Sequence, residues 1–135
     1  MLDGAARLKQ LVSRAEQLDM AALGVTDHGN MFGAYEFYKA AKNTSVKPII
    51  GLEAYLTPKT HRSERKRVQF GDGTGDDVAA RGAYTHMTIW AQHNEGMHNL
   101  FRLSSLSSLE GFFYKPRADR DLLNRYAKGL IGTTG

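Results

Sequence analysis

Asp27 and His28 close an apolar run in the stretch "GVTDHGNMFGAYEF", residues 24–37. A carboxylate next to an imidazole suits proton transfer or metal ligation. Glu53 stands late in a second apolar run, "VKPIIGLEAYL", and His86 is near the start of a third, "THMTIWAQ". Asp3 lies in the turn that enters the first helical pattern. In parallel α/β proteins functional groups gather at the C-terminal ends of strands. Carboxylates and imidazoles converging on one such rim are donors that Zn²⁺ or Mn²⁺ accepts. A cation held there lowers the pKa of its water toward about 7 and supplies hydroxide at neutral pH.

Each residue also has a plainer reading. Asp-His-Gly after a strand serves as an N-cap and a turn. Asp3 serves as a helix cap. Burying a carboxylate without a partner costs several kcal/mol, so Glu53 faces a cation, a metal or solvent. His86 reads as a strand histidine, and its place at the start of its run fits poorly with the C-terminal-end rule. His61, His93 and His98 read as loop or helix-surface residues. Lys115 and Arg117 in "YKPR" are either phosphate contacts or part of a surface turn.

The elements that must position these groups follow from periodicity. Leu8, Leu11, Val12, Ala15 and Leu18 recur at helical spacing, so a helix is expected over residues 5–18 with Asp3 as its N-cap. "MAALGVT" reads as a buried strand ending at Val25 or Thr26. A second helix is expected over about 31–43, with Met31, Tyr35, Tyr38 and Ala41 on one face. "VKPIIGLEAYL" and "THMTIWAQ" are the next strands. The polar segment 57–82 between them is too long for an ordinary connection and reads as a projecting or mobile loop; its "HRSERKR" run reads as solvated. "EGMHNLFRLSSLSSLEG" and "RDLLNRYAKG" are helices, separated by a turn at "YKPRAD", and "LIGTTG" begins a further strand. This alternation predicts an α/β unit with parallel strands and helical crossovers.

The 135 residues suit one domain, and the formal net charge of +4 is compatible with an anionic partner such as nucleic acid. The absence of cysteine excludes disulfides, thiolate metal sites and Cys nucleophiles, and fits a cytoplasmic origin. No apolar run approaches the ~20 residues of a membrane span, so no membrane role is expected.

As a whole the sequence resembles a family. "MLDGA", "GVTDHGNMFGAYEFYKAAK", "KPIIGLEAYL", "YTHMTIWAQHNEGMHNLFRLSS", "FYKPRAD" and "GLIGTTG" look like successive segments of the PHP (polymerase and histidinol phosphatase) domain. More narrowly, they resemble the PHP domain at the N-terminus of bacterial replicative DNA polymerase III alpha subunits. The resemblance implies a distorted (β/α)₇ barrel with metal ions at one end, held by His, Asp, Glu and sometimes Cys. It assigns Asp3, His28, Glu53 and His86 as metal ligands, and Asp27 as a neighbour that orients His28. It further implies a parent protein that extends DNA on a primer-template from deoxynucleotides, with magnesium at a polymerase site outside this chain and other replisome subunits as partners. In some relatives the PHP site is a metal-dependent 3′→5′ exonuclease, and in others a structural platform. A stand-alone PHP phosphoesterase shares the ligands, but the polymerase-like "NMFGAYEFYKAAK" and "NLFRLSS" segments disfavour it.

The chain departs from the family pattern at both ends. The His-X-His strand expected before "LDGA", the Cys expected after "TTG" and the later Asp-X-His motif are not in these residues. The expectation is therefore a single partial PHP domain over 1–135, inactive by itself, with an unpaired edge on the strand around residues 21–25.

Overall fold

The computed structural model describes residues 4–57, 59–67 and 84–134. In chain order it contains α1 (Leu8–Gln17), β1 (Ala22–His28), α2 (Ala34–Ala41), β2 (Lys47–Leu56), β3 (Thr85–Ala91), α3 (Asn94–Glu110), β4 (Arg117–Ala118), α4 (Arg120–Tyr126) and β5 (Leu130–Thr134). The strands form one sheet in the order β1-β2-β3-β5, with β4 also paired to β2. The protein is α/β, as the alternation predicts.

The all-parallel sheet is not what forms. β1 and β4 run parallel to β2, but β3 is antiparallel to β2, and β5 is antiparallel to β3. The reason lies in the connections. Between β1 and β2, helix α2 returns the chain to the end from which β1 started. Between β2 and β3 no helix occurs among the described residues, so the chain re-enters at the end where β2 finished, and an antiparallel pair results.

Register sorts the strand residues onto two faces. Val25 pairs with Ile50, Leu52 with Ile89 and Ala54 with Met87 on one face. All strand residues of both apolar clusters belong to this face. Val12, Phe37 and Ala41 pack with Leu23, Val25 and Ile50. Leu100, Leu103 and Leu122 pack with Leu52, Ala54 and Ile89. Full burial of each Leu, Val or Phe contributes about 1.5–3 kcal/mol. The helices thus cover one face of the sheet, and the other face carries Gly24, Thr26, His28, Gly51, Glu53, Tyr55, His86, Thr88 and Trp90.

On that second face the Trp90 ring lies over two glycines. A Cβ on Gly51 would stand 2.6 Å from the ring, and 2.7 Å from both the Ile89 carbonyl oxygen and the Thr26 methyl. One on Gly24 would meet only ring atoms closely, at 2.8 Å. Gly51→Ala is therefore expected to destabilise by about 1–3 kcal/mol, and Gly24→Ala by less, because only a side chain must give way. Urea unfolding followed by the fluorescence of Trp90, the sole tryptophan, measures both. An unchanged midpoint for Gly51→Ala would show that the sheet yields there.

Several sequence expectations are corrected. Helix α1 begins at Leu8, with Arg7 at the cap position and no side-chain cap bond. Asp3 itself lies outside the described residues. Phe37 and Ala41 form the buried stripe of α2, while Tyr35 and Tyr38 are 70% and 46% exposed. The "YKPRAD" turn contains β4, and Asp119 caps α4 by accepting a hydrogen bond from the Leu122 N–H at 2.9 Å. The basic half of segment 57–82 is not a free loop. Arg62 donates to Asp119 at 3.0 Å and to Glu110 at 2.7 Å, which ties the segment to α3 and α4. The rest of that segment, from residue 68, lies outside the described residues. As expected, β1 is the outer strand among those described.

Candidate functional site

β1 extends through Asp27 to His28, and the parallel register sets His28 directly beside Glu53. On the other side of β2, Thr88 faces Glu53 and His86 faces Tyr55. Because β3 is antiparallel, its first residues lie at the end of the sheet where β1 and β2 finish. The position of His86 early in its strand thus agrees with the rim rule. Successive same-face positions on a strand are two residues apart, so Glu53, Tyr55, His28 and His86 all project from the helix-free face.

The side chains meet. Nδ1 of His28 contacts Oε2 of Glu53, and Nδ1 of His86 contacts Oε1 at 2.5 Å. The Tyr55 hydroxyl donates to Oε2 at 3.2 Å. Glu53 is largely buried, and both imidazoles are open to solvent. Burial pushes the Glu53 carboxyl up, but the hydrogen bonds and charges of His28 and His86 outweigh it and hold the group below its ordinary range. A cavity of about 300 Å³ opens here, lined by Gly4, Thr26, Asp27, His28, Glu53 and Thr88. Three of the four expected ligands, His28, Glu53 and His86, thus converge, and the fourth, Asp3, lies outside the described residues. A larger hollow between residues 59–61 and α4 contains none of the three.

Asp27 makes a contact on the helix side of the sheet. Neighbours on a strand point to opposite faces, and Asp27 projects to the helix side while His28 projects to the cavity rim. Its Oδ2 accepts the Gly33 N–H at 2.6 Å and fixes the start of α2 against β1. The adjacent carboxylate and imidazole therefore serve two faces of the sheet.

The "YKPR" pair divides as well. Lys115 is exposed, with its ammonium 5.6 Å from the centre of the Tyr55 ring. Arg117 is fully buried and donates to the carbonyls of Gly111, Arg62 and Glu64. A phosphate role for Arg117 is thus corrected to a structural one. Tyr55 and the Arg62–Asp119 pair escaped sequence reasoning. The signal for Tyr55 was its spacing of two from Glu53 within a strand.

The two imidazole nitrogens are turned onto the carboxylate itself. No group of three His, Asp or Glu among the described residues is arranged to hold a cation. In donor type, a carboxylate with two imidazoles fits a borderline divalent metal.

Fold and site together define an α/β protein with a carboxylate and two imidazoles grouped at the ends of its strands. The PHP domain family matches residues 1–135, and the chain belongs to that family. It is 53% identical to the DNA polymerase III subunit alpha of Saccharopolyspora erythraea, over all of this chain and 12% of that protein. The corresponding subunit of Mycobacterium leprae is 51% identical over the same shares, and that of Aquifex aeolicus 43% over 99% and 11%. The chain thus spans about one eighth of these relatives' length. A solved structure from Bifidobacterium adolescentis, assigned as a metal-dependent phosphoesterase, aligns with a TM-score of 0.47 at 16% identity. It covers 79% of this chain and 29% of its own.

Proposed function

We propose that this chain is the PHP domain of a DNA polymerase III alpha subunit, and that its strand-end cluster is a divalent-metal site for 3′→5′ exonucleolysis. The convergence of His28, Glu53 and His86 at one end of the sheet carries the reading of the site. Identity of 43–53% to alpha subunits supports the reading of the whole protein as a DNA-directed DNA polymerase. Its substrates are then a primer-template and deoxynucleotides, its partners other replisome subunits, and its compartment the cytoplasm. Magnesium belongs to a polymerase site outside these residues.

Asp3, His28, Glu53 and His86 would hold zinc or manganese. The two carboxylates balance the charge of the cation, and the two imidazoles supply neutral nitrogen donors. A divalent cation bound there lowers the pKa of water toward about 7 and polarises a phosphate oxygen. Glu53 lines the cavity and is largely buried, while both imidazoles are open to solvent, which supports access by a strand end. Lys115, exposed beside Tyr55, would meet a phosphate oxygen as a point charge.

The test uses the full protein and a labelled primer with a 3′ mismatch. Shortening of the primer with Mn²⁺ or Zn²⁺, lost on chelation and restored by the metal, is the expected result. Residues 1–135 alone are expected to give negligible shortening. No shortening by the full protein would overturn the exonuclease reading, and hydrolysis of only a small phosphate ester would favour the stand-alone phosphoesterase.

A further inference from the structure

One side chain touches the ends of all three strands that meet at the cluster. Tyr55 is 3% exposed, and its hydroxyl donates to Glu53 Oε2 at 3.2 Å. Its ring stands edge-on to the His86 imidazole, with centroids 5.2 Å apart at 78°. It also packs on the turn after His28. Gly29 holds a φ of 65° there, and a Cβ on it would meet the Tyr55 ring at 2.8 Å. The same turn is tied to β2 by the Gly29 N–H bond to the Glu53 carbonyl at 2.9 Å. Tyr84 closes the ring from another side, at 4.7 Å.

A glutamate side chain has three rotatable torsions and does not hold one orientation unaided. A buried hydroxyl fixed by packing on several sides is a rigid donor, and a hydrogen bond to an ionised carboxylate is stronger than one between neutral groups. Were Tyr55 only a space-filling aromatic, phenylalanine would serve equally. The hydroxyl aimed at Oε2 separates the two roles. Resting on the metal-site reading above, we infer that Tyr55 is a positioning residue. Its hydroxyl sets the Glu53 carboxylate, and its ring sets the His86 imidazole, for the divalent cation.

The test is Tyr55→Phe in the full protein, with Mn²⁺ affinity measured by titration calorimetry and Co²⁺ binding by visible absorption. Loss of a partner that orients a ligand typically weakens metal binding about 10–100-fold. The expected result is about 10-fold weaker Mn²⁺ binding and an altered Co²⁺ band, with the metal-free thermal midpoint unchanged. Tyr55→Leu, which also removes the ring beside His86, is expected to bind still more weakly. Wild-type affinity with a wild-type Co²⁺ band in Tyr55→Phe overturns the inference. So does an affinity loss matched by a lower metal-free midpoint, which would mark a packing role. Glu53→Gln run in parallel separates the two failures. If Glu53→Gln binds Mn²⁺ like the wild type, the metal-site reading itself falls. If it loses binding while Tyr55→Phe does not, only the role of Tyr55 falls.

Discussion

Arg117→Ala is expected to lower the unfolding free energy by about 2–4 kcal/mol, the cost of leaving buried carbonyls without their donor and emptying the space of a large side chain. The guanidinium is fully buried, and burial, with a smaller contribution from the charge of Arg65, pushes its pKa down. It is retained because its planar fork serves three separate backbone carbonyls. Nε donates to Gly111 at the end of α3, at 3.0 Å, and Nη2 to Arg62 and Glu64, at 3.1 and 2.9 Å. The Phe113 ring lies against it, 4.9 Å from centroid to guanidinium carbon. Alanine would leave the carbonyls without this donor, at about 1–3 kcal/mol for each that water cannot reach. It would also empty the space of the side chain. Arg117→Lys should recover only part of the loss, since a single ammonium cannot span three acceptors. Lys115→Ala, at an exposed position two residues away, should change stability by no more than about 0.5 kcal/mol. The midpoint of urea unfolding for the three variants checks this. Equal midpoints for Arg117→Ala and wild type would mean that water replaces the guanidinium without cost.

Arg117 also marks where the sequence was hard to read. A basic residue in "YKPRAD" has the composition of a surface turn, and nothing local announces that β4 will carry it inside. What buries it is distant: residues 62–64 fold back onto α3 and α4, and their carbonyls need a donor. The orientation of β3 failed for a related reason. Helix–strand alternation argues for parallel pairing only where a helix supplies each crossover, and residues 57–84 contain no helix among those described. The helix faces were partly misjudged because apolar spacing alone does not say which side meets the sheet. Phe37 was available as a core residue, yet the aromatic pair Tyr35 and Tyr38 drew the assignment. Strand-end chemistry was far easier to see. A glutamate inside "GLEAY" and a histidine closing "GVTDH" have no apolar reason to be there, so a polar site was the economical explanation. The pairing of His28 with Glu53 needed only parallel neighbours in register, and that register formed.

The largest functional effect is expected at Glu53, because the side-chain hydrogen bonds of His28, His86 and Tyr55 in the cluster meet on its carboxylate. His28 takes one oxygen, His86 the other, and the Tyr55 hydroxyl shares the first. Glu53→Ala removes the acceptor common to all three, and with it the charge that would balance a divalent cation. In the full protein this variant should lower metal-dependent primer shortening by more than about 100-fold, beyond the range typical for loss of an outer partner. Template-directed incorporation, assigned above to a site outside these residues, should stay near its wild-type rate. His28→Ala should act in the same direction, and the double variant should lose little more than either single one, since residues acting as a unit are non-additive. Folding should be affected much less than activity. The imidazoles are solvent-exposed, and removing a largely buried carboxylate relieves its desolvation even as it deletes hydrogen bonds. The measurement pairs the 3′-mismatched primer assay with extension of a matched primer by the same preparations. Shortening at the wild-type rate by Glu53→Ala and His28→Ala would show that the ligands are misassigned. Parallel loss of shortening and extension would show that the cluster supports the architecture of the whole protein and has no chemistry of its own.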